Sequence, residues 1–183
     1  MKKSPTLRLI LGDQLNEKHS WFQEVNEEVT YCLFETWSET NYTRHHVQKI
    51  VGFFFAMRHF AERLREMGHR VVYRTLDETR ESQLESISDN LADLAGKLQA
   101  ETVEYLHPDE WRLDQDLKLF SENFGGVTNT IDTEHFLSTR TDVEEIFKGK
   151  KTYLLETFYR EMRRRHGIMV TEDGEPETGQ WNY

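Results

Sequence analysis

Five short runs of apolar residues punctuate the chain: Thr6 to Leu11, Val29 to Phe34, His69 to Thr75, Thr102 to His107 and Val127 to Ile131. Each has the length of a buried strand, and the first stops at Gly12, as a strand feeding a tight turn does. Between these runs the apolar period changes to three and four. From about Thr43 to Met67 it falls on Val47, Ile50, Val51, Phe54, Met57, Ala61 and Leu64, the stripe of a core-facing helix with Gly68 as its C′ stop. Phe53, Phe55 and Phe60 widen the stripe and predict a helix covered on more than one side. Further helices are predicted from about Ser82 to Leu98 and from about Asp109 to Phe124, the latter with Asp109 as N-cap and Gly125 as stop. Strands alternating with helices of this length predict right-handed βαβ units. The expected fold class is α/β: three layers, α/β/α, around a five-stranded parallel, doubly wound (Rossmann-like) sheet.

After Ile131 the pattern loosens. A helix is predicted from about Leu154 to Arg165, followed by a turn-rich tail, Thr171 to Tyr183, with Gly174, Pro176 and Gly179. Leu154, Leu155, Phe158 and Met162 form a stripe expected to dock on the chain's own sheet, which leaves Tyr153, Tyr159 and Trp181 as expected exposed residues.

Composition narrows the function classes. The chain has 183 residues, 37% hydrophobic and 31% charged, the balance of a soluble domain with a core of its own. No run approaches the roughly 20 apolar residues of a membrane span, and Met1-Lys2-Lys3-Ser4-Pro5 is not followed by the apolar stretch of a signal peptide. A cytoplasmic protein with no membrane partner is expected. The single cysteine, Cys32, excludes an intrachain disulfide and leaves no CxxC pair for zinc or an iron–sulfur cluster. A net charge of −10 opposes independent binding of a nucleic-acid backbone, which depends on cationic side chains neutralising phosphates. The stretch Lys148, Lys150, Lys151, Arg160, Arg163, Arg164, Arg165 and His166 is nonetheless basic. It reads first as a solvated helix face with Glu156 and Glu161 as i±4 partners, and alternatively as a surface that meets DNA or another domain.

Candidate chemistry gathers where predicted strands end. In open parallel sheets ligands bind outside the carboxyl ends of the strands, at the point where strand order reverses. Those ends carry Gly12-Asp13-Gln14-Leu15, Glu35-Thr36-Trp37-Ser38-Glu39 and His107-Pro108-Asp109-Glu110-Trp111. Gly12 permits close backbone approach to a ligand, and Asp13 and Gln14 offer acceptors and an amide for a heterocycle edge. Neither GxGxxG nor GxxxxGK[ST] is present, so the familiar phosphate cradles are disfavoured. With the long helix starting near Glu39, Glu39, Tyr42, His46, Lys49, Ile50 and Phe53 share one side, a polar rim above an apolar floor that suits a flat heterocycle with a hydroxylated tail. The alternatives are a structural ion-pair row, and a Mg²⁺ site on Asp13, Glu35 and Glu39. No nucleophile–base pair is legible, and no catalytic or metal-binding residue is assigned.

Leu9-Ile10-Leu11-Gly12-Asp13-Gln14-Leu15, His45-His46 and Phe54-Phe55-Ala56-Met57-Arg58-His59-Phe60-Ala61 resemble the deoxyribodipyrimidine photolyase-related proteins, the iron–sulfur bacterial cryptochromes and (6-4) photolyases. Glu110-Trp111-Arg112, the run Glu156 to Arg164, and Gly179-Gln180-Trp181-Asn182-Tyr183 match the same family in the same order. The resemblance implies that residues 1–150 are an antenna domain binding 6,7-dimethyl-8-ribityllumazine. Residues 151–183 would then be a connecting helix and the start of a linker to a carboxyl-terminal helical domain, outside this chain, that holds FAD and an iron–sulfur cluster. It places Gly12, Asp13, Gln14, Leu15, Glu35 and Glu39 around the antenna pocket, with Tyr42, His46, Lys49 and Ile50 as further members. The parent protein would be a (6-4) photolyase-type lyase or a blue-light receptor, and the present chain would not be catalytic by itself. Expected partners are the chain's own carboxyl-terminal domain, damaged DNA through the full-length protein, and a second copy docking through exposed carboxyl-terminal surface. The competing expectation is a stand-alone nucleotide-binding or protein-interaction α/β domain without pigment.

Overall fold

A computed structural model describes residues 5–182; Met1 to Ser4, and Tyr183 of the terminal motif, lie outside the described residues. The chain divides into two compact units, residues 1–133 and 134–183, a division that falls before the boundary expected at residue 150.

All five predicted strands lie in the first unit: β1 (Thr6–Leu9), β2 (Val29–Phe34), β3 (Val71–Arg74), β4 (Thr102–Leu106) and β5 (Val127–Ile131). They form one parallel sheet in the order β3-β2-β1-β4-β5. The helices of this unit are α1 (Trp37–Asn41), α2 (Val47–Glu66), α3 (Leu76–Glu81), α4 (Ile87–Leu98) and α5 (Trp111–Asn123). The fold is the expected three-layer, Rossmann-like α/β/α arrangement. Side chains on a strand alternate between faces, so each inner strand feeds two cores. Val29, Tyr31 and Leu33 of β2 pack with Met57, Phe60, Ala61 and Leu64 of α2. Cys32 and Phe34 of the same strand join Leu7 and Leu9 of β1 and the apolar faces of α4 and α5. β2, buried at every position, reads as a near-continuous apolar run for this reason, whereas the edge strand β5 is largely exposed. The order reverses between β1 and β4, which opens a crevice at their carboxyl ends.

The helices depart from expectation in ways that bear on function. The long helix begins at Val47, after a separate five-residue α1 and an interruption at residues 42–46. His46 is its N-cap, with the ring Nδ1 accepting from the Gln48 N–H at 3.2 Å. Its inner face is Met57, Phe60, Ala61 and Leu64, whereas Val47, Val51 and Phe55 are exposed. The first half of α2 overhangs the strand ends, so only its second half is covered by the sheet's core. The helix expected from about Ser82 begins at Ile87, and a short helix that was not expected, α3, precedes it; each is opened by a capping box, Thr75 with Glu78 and Ser86 with Asp89. Gly68 has the left-handed backbone (φ 95°) expected of a C′ stop.

Helix α5 is preceded by Glu110 rather than Asp109, and ends where Phe124 turns extended, without a left-handed residue at Gly125. The next glycine is the constrained one. A Cβ on Gly126 would lie 2.4 Å from the Glu101 carbonyl oxygen, a backbone atom that cannot swing aside. Gly126→Ala is therefore expected to destabilise the sheet unit by about 1–3 kcal/mol, read as a lowered urea midpoint. An unchanged midpoint would refute the close approach of β5 to the start of β4.

The second unit contains α6 (Asp142–Phe147) and α7 (Leu155–His166), the former not predicted. Arg165 bonds Asp142 at 2.6 Å, joining the two helices. The basic run takes the reading of a paired helix face: Arg160 bonds Glu156, and Arg165 bonds Glu161 at 3.2 Å. The tail folds back onto α7. Arg163 donates to the Ile168 and Met169 carbonyls, and Arg164 to that of Gly174. Trp181 lies among Arg160, Arg163 and Arg164, whose guanidinium carbons are 5.5, 5.1 and 4.7 Å from its ring centroid. Its expected exposure is thus corrected: cation–π contacts hold it half-buried. The expected inward stripe is also corrected, because Leu154 and Leu155 are exposed, the latter to 81%, while only Phe158 and Met162 are half-buried. Tyr153 and Tyr159 are exposed as expected.

Among the described residues no helix is long and apolar enough to cross a membrane.

Candidate functional site

At the switch point lies a cavity of about 220 Å³. Leu9, Ile10 and Leu11 from the end of β1, Phe34 from the end of β2, Ile50, Phe53, Phe54 and Met57 from α2, and Ile87 and Leu113 from the opposite layer make it apolar and partly aromatic. Gly12 forms part of the same wall for a steric reason: a Cβ there would lie 2.3 Å from Phe53 Cε1 and 2.8 Å from Met57 Sδ. The absent side chain lets two residues of α2 approach the turn after β1.

The rim is polar and drawn from four segments. Asp13 follows β1; Glu39, Thr40 and Tyr42 come from α1 and its end; His45 and Lys49 flank the start of α2, with Lys49 Nζ 3.2 Å from His45 Nδ1. Glu110 adds a carboxylate before α5. Glu39 does not stand alone. Arg112 grips both its oxygens, Nη1 to Oε1 at 2.9 Å and Nη2 to Oε2 at 2.7 Å, and the Glu39 carboxylate raises the Arg112 pKa above its ordinary value. Arg112 also bonds Glu110 and sits 4.5 Å from the centroid of the Tyr42 ring.

The geometry sorts the residues singled out from sequence. Gly12, Asp13, Glu39, Tyr42, Lys49 and Ile50 surround one cavity. Gln14, Leu15, Glu35 and His46 do not line it, which corrects their expected placement. Gln14 is buried with its amide spent on backbone: its Oε1 accepts from the Leu11 N–H at 3.1 Å and its Nε2 donates to the His107 and Leu106 carbonyls. It ties the turn after β1 to the end of β4. Leu15 packs against the α2-side core. His46 caps α2, and the interruption at residues 42–46 shifts the helical phase so that His45 faces the cavity instead.

Glu35 is fully buried and serves the fold. Arg58 donates Nε and Nη2 to its two oxygens at 2.6 and 2.9 Å, Tyr73 Oη donates at 2.6 Å, and the Leu76 N–H at 2.8 Å. Burial pushes its carboxyl up, but hydrogen bonds from Arg58, Tyr73 and the Leu76 amide outweigh that and hold it below the ordinary carboxylate range. Burial and the adjacent Glu35 carboxylate push the Tyr73 phenol up, so it stays a neutral donor. Glu35 is filled by Arg58, Tyr73 and the Leu76 amide, and Glu39 is paired with Arg112 but keeps a lone pair on Oε2; among the described residues no cluster of three or more potential metal-ligating acids, histidines or cysteines occurs, so Asp13, Glu35 and Glu39 do not form a magnesium triad. Glu110 belongs to the polar cluster legible after the fourth strand, whereas nothing in the sequence marks Thr40, His45, Met57 and above all Arg112, 73 residues from its partner Glu39, as members of the site.

The fold, the switch-point cavity and its rim can be set beside known proteins. A family model described as deoxyribodipyrimidine photo-lyase-related protein matches residues 8–183. The chain belongs to this family. It is 34% identical to a protein named (6-4) photolyase from Agrobacterium fabrum (strain C58), over 185 residues covering 97% of this chain and 34% of that protein. The chain therefore spans about a third of the length of that relative. The crevice described above belongs to a photolyase/cryptochrome-like protein, and it is formed by the sheet-bearing unit alone.

Proposed function

We propose that this chain is the light-harvesting domain of a photolyase- or cryptochrome-like flavoprotein, and that its switch-point cavity binds 6,7-dimethyl-8-ribityllumazine as an antenna pigment. The observation that carries this reading is the cavity itself: an aromatic and aliphatic interior suited to a flat heterocycle, with hydroxyl, imidazole, ammonium and carboxylate groups at its rim for a polyhydroxylated tail. The residues fit the group. Ile50, Phe53, Phe54 and Met57 offer an apolar bed, and Gly12 allows that bed to come close to the strand end. Glu39 and Asp13 offer acceptors, Lys49 and Tyr42 offer donors, and the Thr40 hydroxyl, which donates its own hydrogen to the Trp37 carbonyl, adds an acceptor. When bound, the pigment would supply absorption in the near-ultraviolet or blue and pass excitation to a reduced flavin. The chain's contribution is to hold that pigment in place and to exclude water from its apolar face.

FAD, an iron–sulfur cluster and contact with damaged DNA are assigned on this reading to the rest of a longer protein, in line with a relative about three times the length of the matched region. Tyr153, Leu155 and Tyr159 would give the second unit an apolar face for that remainder or for a second copy of this chain.

Titration of purified protein with 6,7-dimethyl-8-ribityllumazine, followed by the pigment's fluorescence, tests the reading. Wild-type protein is expected to bind. Glu39→Ala is expected to lower affinity by about tenfold or more, since loss of a charge-assisted hydrogen bond is worth about 1.5–3 kcal/mol. Absence of saturable binding by the wild type would reject the pigment assignment, and equal affinity of the two proteins would remove Glu39 from the site.

A further inference from the structure

Helix α1 supplies Glu39, Thr40 and, at its end, Tyr42 to the rim of the cavity, yet it has little to hold it. It is five residues long, buries none of them, and its N-cap Thr36 makes no side-chain capping bond. A helix that short does not persist on propensity alone. Its beginning is tied by the Ser38 N–H to the Glu85 carbonyl at 3.3 Å and by Arg80, 5.8 Å over the Trp37 ring. Its other end is tied by Arg112. From the first turn of α5, across the crevice, this one side chain makes two bonds to Glu39 and two to Glu110, and lies 4.5 Å from the Tyr42 ring centroid.

We propose that Arg112 is a positioning residue of this site, a strap that joins α1 to α5 across the mouth of the crevice, orients the Glu39 carboxylate and sets how long a bound heterocycle is retained. Retention rests on the pigment-binding reading; the strap itself does not. The strap depends on the planar guanidinium. It engages two carboxylates and an aromatic face at once, whereas lysine would offer a point charge to one of them.

Two measurements on the wild type, Arg112→Met and Arg112→Lys decide the matter. In pigment-free protein, amide hydrogen exchange across residues 38–46 should accelerate by about tenfold in Arg112→Met and less in Arg112→Lys, with the amides of β1, β2 and β4 unchanged. In stopped-flow displacement, 6,7-dimethyl-8-ribityllumazine should leave Arg112→Met about tenfold faster and Arg112→Lys at an intermediate rate, with association little altered. Unchanged exchange at residues 38–46 overturns the strap. Changed exchange with an unchanged dissociation rate overturns its role in retention. A general loss of protection across the sheet would make Arg112 a residue of overall stability and overturn the proposal as well. Wild-type protein that takes up no lumazine overturns the pigment reading and the retention role with it, while the exchange result still decides the strap.

Discussion

Replacing Glu35 by alanine is expected to destabilise the sheet unit by about 2–4 kcal/mol. The carboxylate has no solvent exposure and accepts four hydrogen bonds, from Arg58, Tyr73 and the Leu76 amide, which link α2, β3 and α3 to the end of β2. Its removal strands the Tyr73 hydroxyl and the Leu76 N–H in a space they cannot fill. Arg58 is 53% exposed and can turn to water, which keeps the loss below that of a fully buried ion pair broken on one side. The same network implies acid sensitivity. Glu35 has a folded-state pKa below its unfolded one, so its contribution is complete above the ordinary carboxylate range of about 4.3 and is lost as pH falls through the lower folded value. Urea midpoints followed from pH 7 downward should therefore fall more steeply below that range in the wild type than in Glu35→Ala. Parallel curves, or a difference at pH 7 smaller than about 1 kcal/mol, would contradict the role assigned to this carboxylate.

Gly12→Ala is expected to lower lumazine affinity by tenfold or more, about 1.4 kcal/mol for each factor of ten. The new methyl would sit 2.3 and 2.7 Å from two atoms of the Phe53 ring and 2.8 Å from Met57 Sδ, all inside van der Waals contact. Phe53 is partly exposed and can rotate away, whereas Met57 is buried, so the ring moves first and the apolar bed is lost while the fold survives. A second change, Phe53→Leu, shortens the obstructing side chain and should recover part of the affinity. Fluorescence titration of the single and double variants reads both effects. Wild-type affinity in Gly12→Ala would show that the close approach of α2 to this turn does not matter to the pigment.

The sequence by itself determined the layers and the place of the switch-point cavity. Strands buried on both faces must be apolar throughout, and helices packed on one side must carry a three–four stripe, so both periods were legible without coordinates. A parallel sheet whose order reverses has one natural crevice, and Gly12 and Glu39, at the ends of two of its strands, line it. Only the tertiary structure decided which polar groups at those ends face a ligand. Gln14, Glu35 and Glu39 look alike in sequence, each a hydrogen-bonding side chain just beyond a strand. Their partners are set by residues distant along the chain: Leu106 and His107 for Gln14, Arg58 and Tyr73 for Glu35, Arg112 for Glu39. The choice between His45 and His46 turned on a break in one helix, because neighbouring residues differ by about 100° around a helix axis and the break moves that phase. Periodicity reports which side of an element is apolar. Hydrogen bonding is a matter of ångströms and angles between distant segments, and it exists only once those segments have packed.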